Sequence, residues 1–163
     1  MRPDSATLLI GLGIAVAAAV PVAAIRRRMA TVTVSGPSML PTLADGDRLL
    51  IRRARLADLA VGDIVVLQRP APDDTWRTEP PRWPPSNHGD WLIKRIAALP
   101  GDPVPVGIPV PDATVPGGHL VVPGGHLVVL GDNRAASYDS RTVGHVPADR
   151  LLGVVVRAIT GGC

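Results

Sequence analysis

Ser38 stands between two prolines in the stretch Ser35-Gly36-Pro37-Ser38-Met39-Leu40-Pro41-Thr42-Leu43. Pro37 and Pro41 fix φ near about −65° and remove two backbone donors, so neither a helix nor a central strand runs through it. The expected product is a rigid bend that presents one hydroxyl. A serine hydroxyl is a weak nucleophile until a base takes its proton. Of the 17 basic side chains, Lys94 is the only lysine and the rest are arginines. Arginine stays protonated in proteins, whereas a buried lysine can lose its charge near neutral pH. Ser38 and Lys94 are therefore the candidate nucleophile and base. A stray lysine in an Arg-rich chain is the bland alternative, and the neighbours of Lys94 weigh against it. Leu92, Ile93, Ile96, Ala97 and Ala98 flank it, and on a strand Leu92, Lys94 and Ile96 share an apolar face while Arg95 faces water.

The rest of the chain must hold these two groups together. At 163 residues, with 46% hydrophobic content, it is long enough for one domain and an appendage. Its 17 glycines and 18 prolines favour short strands and turns over long helices. Short β-type runs are expected at 31–34, 48–51, 64–68, 91–97, 127–130 and 152–159. Gly-Asp dipeptides at Gly46, Gly62, Gly101 and Gly131 mark turns. No helical periodicity is sustained after residue 30, so the predicted fold is mainly β, a small barrel-like domain over 30–163. Residues 70–90 read as a Pro-rich surface loop carrying Trp76 and Trp83, either packed locally or dipping into a membrane interface.

Residues 6–25 carry no charge, and such a helical run spans roughly 30 Å, the thickness of a bilayer core. Residues 1–29 are read as a single-pass membrane anchor rather than a cleaved secretory leader, because Arg26, Arg27 and Arg28 follow the apolar run directly. By the positive-inside rule those arginines would put the downstream domain in the cytoplasm. Aromatic content of 2% leaves almost no stacking platform, and no nucleic-acid partner is expected. Cys163 is the only cysteine, which excludes an intrachain disulfide and a Cys-based metal cluster. Val115 to Val121 is repeated at once as 122–128, bringing His119 and His126 without an acidic or Cys partner at ligand spacing, so no metal is expected.

Three stretches share one order with a known family: the Ser38 turn, Trp91-Leu-Ile-Lys94-Arg-Ile-Ala-Ala-Leu-Pro-Gly-Asp102, and Gly131-Asp-Asn-Arg-Ala-Ala-Ser137-Tyr-Asp139-Ser-Arg141. Together with the anchor, Gly62 to Val66 and the Gly-His-Val-Pro that begins at Gly144, they resemble the type I signal peptidases, membrane-anchored Ser/Lys serine proteases. The resemblance implies Ser38 as nucleophile and Lys94 as general base, which asks for a fall of roughly 2–3 pH units from the usual lysine value of about 10.4. It implies that Ser137 orients the lysine and that Asp139 and Arg141 form an ion pair in a supporting loop with Asp132. It also implies that Val34, Gly36, Met39, Leu43, Leu92 and Ile93 contact substrate around the cut.

Cleavage after small residues of the Ala-x-Ala type, no cofactor, preprotein signal peptides and the lipid bilayer as partners, a monomer, and an extracytoplasmic catalytic domain follow from the same resemblance. The oxyanion donor would be the Ser38 N–H; the further donor serine of some relatives is replaced by Gly36. Alternatives are a maturation protease dedicated to one partner protein, or a membrane-tethered binding module without activity. A penicillin-binding type of Ser/Lys enzyme is excluded because the position three after Ser38 is Pro41.

Overall fold

The computed structural model describes residues 27–85, 91–109 and 120–159. Seven strands, β1 (Met29–Thr33), β2 (Arg48–Arg52), β3 (Ile64–Gln68), β4 (Trp91–Ala98), β5 (His126–Leu130), β6 (Val146–Pro147) and β7 (Leu151–Ile159), form one sheet in the order β1-β2-β7-β3-β4-β5-β6. Every pairing is antiparallel. The only α-helix among the described residues is the single turn α1 (Ser140–Val143). The mainly β expectation holds, and the barrel-like one holds in part: among the described residues β1 and β6 are not paired with each other, so the sheet is a half-barrel. Three register shifts, on the β2–β7, β3–β7 and β4–β5 ladders, break the regularity of the sheet, and such irregularities sharpen local twist.

Both faces of the sheet are covered, which is why its central strands read as continuous apolar runs rather than alternating ones. On β3, Val66 packs into one core with Leu49, Ile51 and Ile93, while Val65 and Leu67 pack into another with Ile96, Leu127 and Val129. Each such buried side chain contributes about 1.5–3 kcal/mol of transfer free energy. Lys94 lies opposite Val65 in the β3–β4 ladder, on the face of the second core.

Three of the Gly-Asp dipeptides make one and the same turn. At 44–47, 60–63 and 99–102 the glycine is third with φ near +90°, and the aspartate closes the turn. Its N–H bonds the first carbonyl, and its carboxylate accepts the first N–H at 2.8, 2.9 and 2.8 Å. Gly131 differs; its φ is not positive, and Asp132 points elsewhere.

Residues 70–85 of the Pro-rich segment are fastened, in line with local packing of its two tryptophans. Trp76 packs on the second core and Trp83 on the first, where its Nε1 donates to the Arg27 carbonyl at 2.9 Å. The buried Arg150 guanidinium donates to Gln68 Oε1 at 3.1 Å and to the carbonyls of Arg77 and Glu79, the latter at 2.6 Å. A single cation thus satisfies main-chain acceptors that a proline-rich run cannot pair internally.

Among the described residues no helix is long and apolar enough to cross a membrane. The expected span at 6–25, His119 with most of the first repeat copy, and Cys163 lie outside the described residues. The second copy contributes the buried Val122 and the start of β5.

Candidate active site

The bend around Ser38 is anchored at both ends. The Val34 N–H donates to the Asp47 carbonyl at 2.8 Å as β1 ends, and the Gly36 N–H donates to Asp45 Oδ1 at 2.7 Å. Gly36 has φ +85, a conformation that a side chain would strain. Beyond Pro37 the chain turns so that Met39, fully buried, and Leu43 enter the first core. Ser38 is thereby held at the surface of that core, half-buried.

β4 delivers the partner. Lys94 is 2% exposed, and its Nζ lies 2.7 Å from Ser38 Oγ and 2.9 Å from the Ile93 carbonyl oxygen. Burial lowers its pKa from 10.5 to about 8; the Asp139 and Asp132 carboxylates oppose the fall, and the Arg69 and Arg141 charges add to it. A neutral amine in this position has an N–H for the Ile93 carbonyl and a lone pair for the Ser38 hydroxyl.

The loop after β5 closes the site. The Asn133 N–H donates to the Ser38 carbonyl at 3.0 Å. Asp139, fully buried, accepts at Oδ2 from the Gly131 N–H at 2.8 Å, the Ser137 hydroxyl at 2.6 Å and the Arg141 guanidinium at 2.6 Å. Burial alone would raise the Asp139 pKa, but these donors and the Arg141 N–H hold it below the ordinary carboxylate value. Asp139 also caps α1, and the buried Ser140 hydroxyl accepts from the Val129 N–H at 2.9 Å.

Several sequence expectations change in detail. Ser137 gives its hydroxyl to Asp139 rather than to Lys94. Arg95 does not simply face water: its fork bonds both oxygens of Asp132 at 2.9 and 2.7 Å, and Thr42 donates to the same carboxylate at 2.5 Å. That bridge joins β4, the serine bend and the loop after β5. Arg95 is held above its ordinary pKa and Asp132 below its own by this hydrogen bonding.

A cleft of about 590 Å³ opens over Ser38 and Lys94. Val34, Gly36, Met39, Leu92 and Ile93 line it, whereas Leu43 is packed into the core beneath. Sequence reasoning placed Asn133 in the supporting turn with Asp132 and Arg134, and missed Asp45, Arg69 and Tyr138. The main-chain contact of Asn133 leaves no trace in residue type. Arg69 continues the alternation of Val65 and Leu67 and was legible from it. Among the described residues no group of three His, Cys, Asp or Glu side chains is arranged to hold a metal ion.

A family described as signal peptidase, peptidase S26, matches this chain over residues 6–108 and 109–159. The chain belongs to the signal peptidase family. Membership makes it a peptidase of the kind that processes signal peptides, with preproteins as its class of substrate. No curated protein matches the chain. The match runs across the two stretches that meet at Ser38 and Lys94, so the site described above lies within the family's own span.

Proposed function

We propose that this signal peptidase family member is an endopeptidase that cuts after small residues, with Ser38 as nucleophile and Lys94 as general base. The observation that carries the reading is the 2.7 Å approach of a buried amine to Ser38 Oγ. With a pKa of about 8, about a tenth of the amine is neutral at pH 7, against about one part in three thousand at the unburied value. Desolvation thus supplies the base that arginine could never be.

In the proposed reaction Ser38 Oγ attacks the scissile carbonyl carbon as its proton passes to Lys94 Nζ. The oxyanion is met by the Ser38 N–H, to which no acceptor is bonded among the described residues. Pro37 has no N–H, and that of Gly36 is engaged by Asp45, so neither is available as a second donor. The ammonium then protonates the leaving amine, the C–N bond breaks, and the new amino terminus departs. Water, deprotonated by Lys94, hydrolyses the Ser38 ester and restores both groups.

Substrate alignment is supported by the edge of β4. Its β5 ladder begins only at Arg95, so residues 91–94 are free on that side among the described residues to pair with an extended chain. The walls formed by Val34, Met39 and Ile93 are tightly packed, which favours small side chains there.

The direct test is cleavage of an Ala-x-Ala precursor. Ser38→Ala and Lys94→Arg are each expected to abolish it; full activity in Lys94→Arg would reject Lys94 as the base. Attachment to the membrane through 6–25 is part of the same proposal, supported by that stretch's length and lack of charge; a catalytic domain outside the cytoplasm is what the family resemblance implies, against the positive-inside reading of Arg26, Arg27 and Arg28. Labelling of Cys163 in intact cells by a membrane-impermeant thiol reagent is expected, and protection until lysis would reverse the orientation.

A further inference from the structure

Arg69 lines both the cleft over Ser38 and Lys94 and an adjoining hollow of about 380 Å³. It follows Gln68, the partner of Trp91, and on the alternation of β3 it falls on the side of Val65, which pairs with Lys94. Its side chain is exposed, and no hydrogen bond or ion pair holds it among the described residues. The other arginines around the site are committed: Arg95 to Asp132, Arg141 to Asp139 and Arg150 to Asp149. Its charge is among those that lower the Lys94 pKa, so it lies within electrostatic reach of the reacting pair.

The acidic groups nearby define where a negative ligand would sit. Asp45 lies on the cleft wall beside the serine bend, bonded to the Gly36 N–H, and repels an anion from there. Asp74, in the adjoining hollow, accepts a hydrogen bond from the Tyr138 hydroxyl and disfavours an anion on that side. What remains for a carboxylate is the cleft-facing side of Arg69. Four strand residues separate Arg69 from the level of Lys94, or about 13 Å. An extended chain cut at Ser38, if its amino-terminal side lies along residues 91–94, reaches the guanidinium two or four residues before the cut, the third being the small residue of Ala-x-Ala.

We propose that Arg69 forms a carboxylate-binding subsite of this cleft, selecting precursors that carry Asp or Glu two or four residues before the scissile bond. The subsite rests on the peptidase reading of Ser38 and Lys94 and adds a charge preference to it. A guanidinium fork suits a carboxylate, and an amide of equal size lacks the charge.

The test compares Ala-x-Ala peptides with a single Glu, Gln or Lys at each of these two positions, by kcat/KM. The wild-type chain is expected to favour Glu about five-fold at one of them, the upper end of what an exposed charge pair supplies. Arg69→Gln brings that ratio to about one, and Arg69→Glu reverses it in favour of Lys at the same position. A ratio near one at every position in the wild type, or a Glu preference that survives in Arg69→Gln, overturns the subsite while leaving the dyad intact. Failure of the wild type to cut any of the Gln peptides overturns the peptidase reading and the subsite with it.

Discussion

An alanine at position 131 has no room for its methyl group. A Cβ built there meets Ser137 Oγ at 2.1 Å, Ser137 Cβ at 2.6 Å and the Ser38 carbonyl oxygen at 2.6 Å. The serine side chain can rotate away, although that breaks its 2.6 Å bond to Asp139. The backbone oxygen cannot; it must retreat by about 0.8 Å to reach ordinary contact, against the Asn133 N–H that holds it at 3.0 Å. A displacement of this size at a nucleophile costs about 100-fold in rate. Overpacking of this type also costs about 1–3 kcal/mol of stability, or roughly 2–10 °C in Tm.

The assay is kcat/KM on an Ala-x-Ala peptide alongside thermal unfolding, with two other glycines as controls. Gly124→Ala, which meets nothing within 4 Å and lacks a positive φ, is expected to change neither quantity. Gly153→Ala, whose Cβ would meet the Arg52 carbonyl oxygen at 2.5 Å on the β2–β7 ladder, is expected to lower Tm. Cleavage by Gly131→Ala within about threefold of the wild type would refute the argument that Gly131 seats the Ser38 main chain.

The pH dependence of kcat/KM follows from the sign of the Lys94 shift. The amine must be neutral to act, so activity is expected to fall as pH drops through about 8 and to level off above it. A flat profile between pH 6 and 9 would count against a lysine base. Asp139→Ala leaves the Arg141 guanidinium and the Gly131 N–H without their acceptor, and is expected to cost about 3–5 kcal/mol in denaturant melts. Because the folded Asp139 pKa lies below its ordinary value of 3.8, its contribution is present above that pH and is lost as pH falls through the lower folded value. The variant's stability should therefore vary less with pH in the acid range than that of the wild type.

How much of this was legible beforehand differs from element to element. The strands were readable because β-branched runs between Gly-Asp turns state their own limits; 64–68 coincides with β3, and β4 extends the expected 91–97 by one residue. Closure of the sheet was not readable, since pairing of β1 with β6 depends on strand order and not on residue type. The meeting of Ser38 and Lys94 could be anticipated from the lone lysine of an arginine-rich chain taken with its apolar neighbours and the order of the three motifs. The hydrogen-bond partners were harder. Nothing in the letters distinguishes a Ser137 that bonds Asp139 from one that bonds Lys94, because either donor geometry suits a hydroxyl. Arg95 was assigned to water by strand alternation alone. Its long stem instead reaches across to Asp132, contributed by the loop after β5.

The central claim is a neutral amine held against a serine hydroxyl, and it can be read at one atom. Because Lys94 is the only lysine, protein grown on lysine labelled at the ε carbon gives a single side-chain resonance, whose chemical shift follows protonation of Nζ. A titration midpoint near 8 is the result predicted by its burial. A midpoint near the unperturbed value of about 10.4 would mean that the amine is charged at working pH, and would contradict the account.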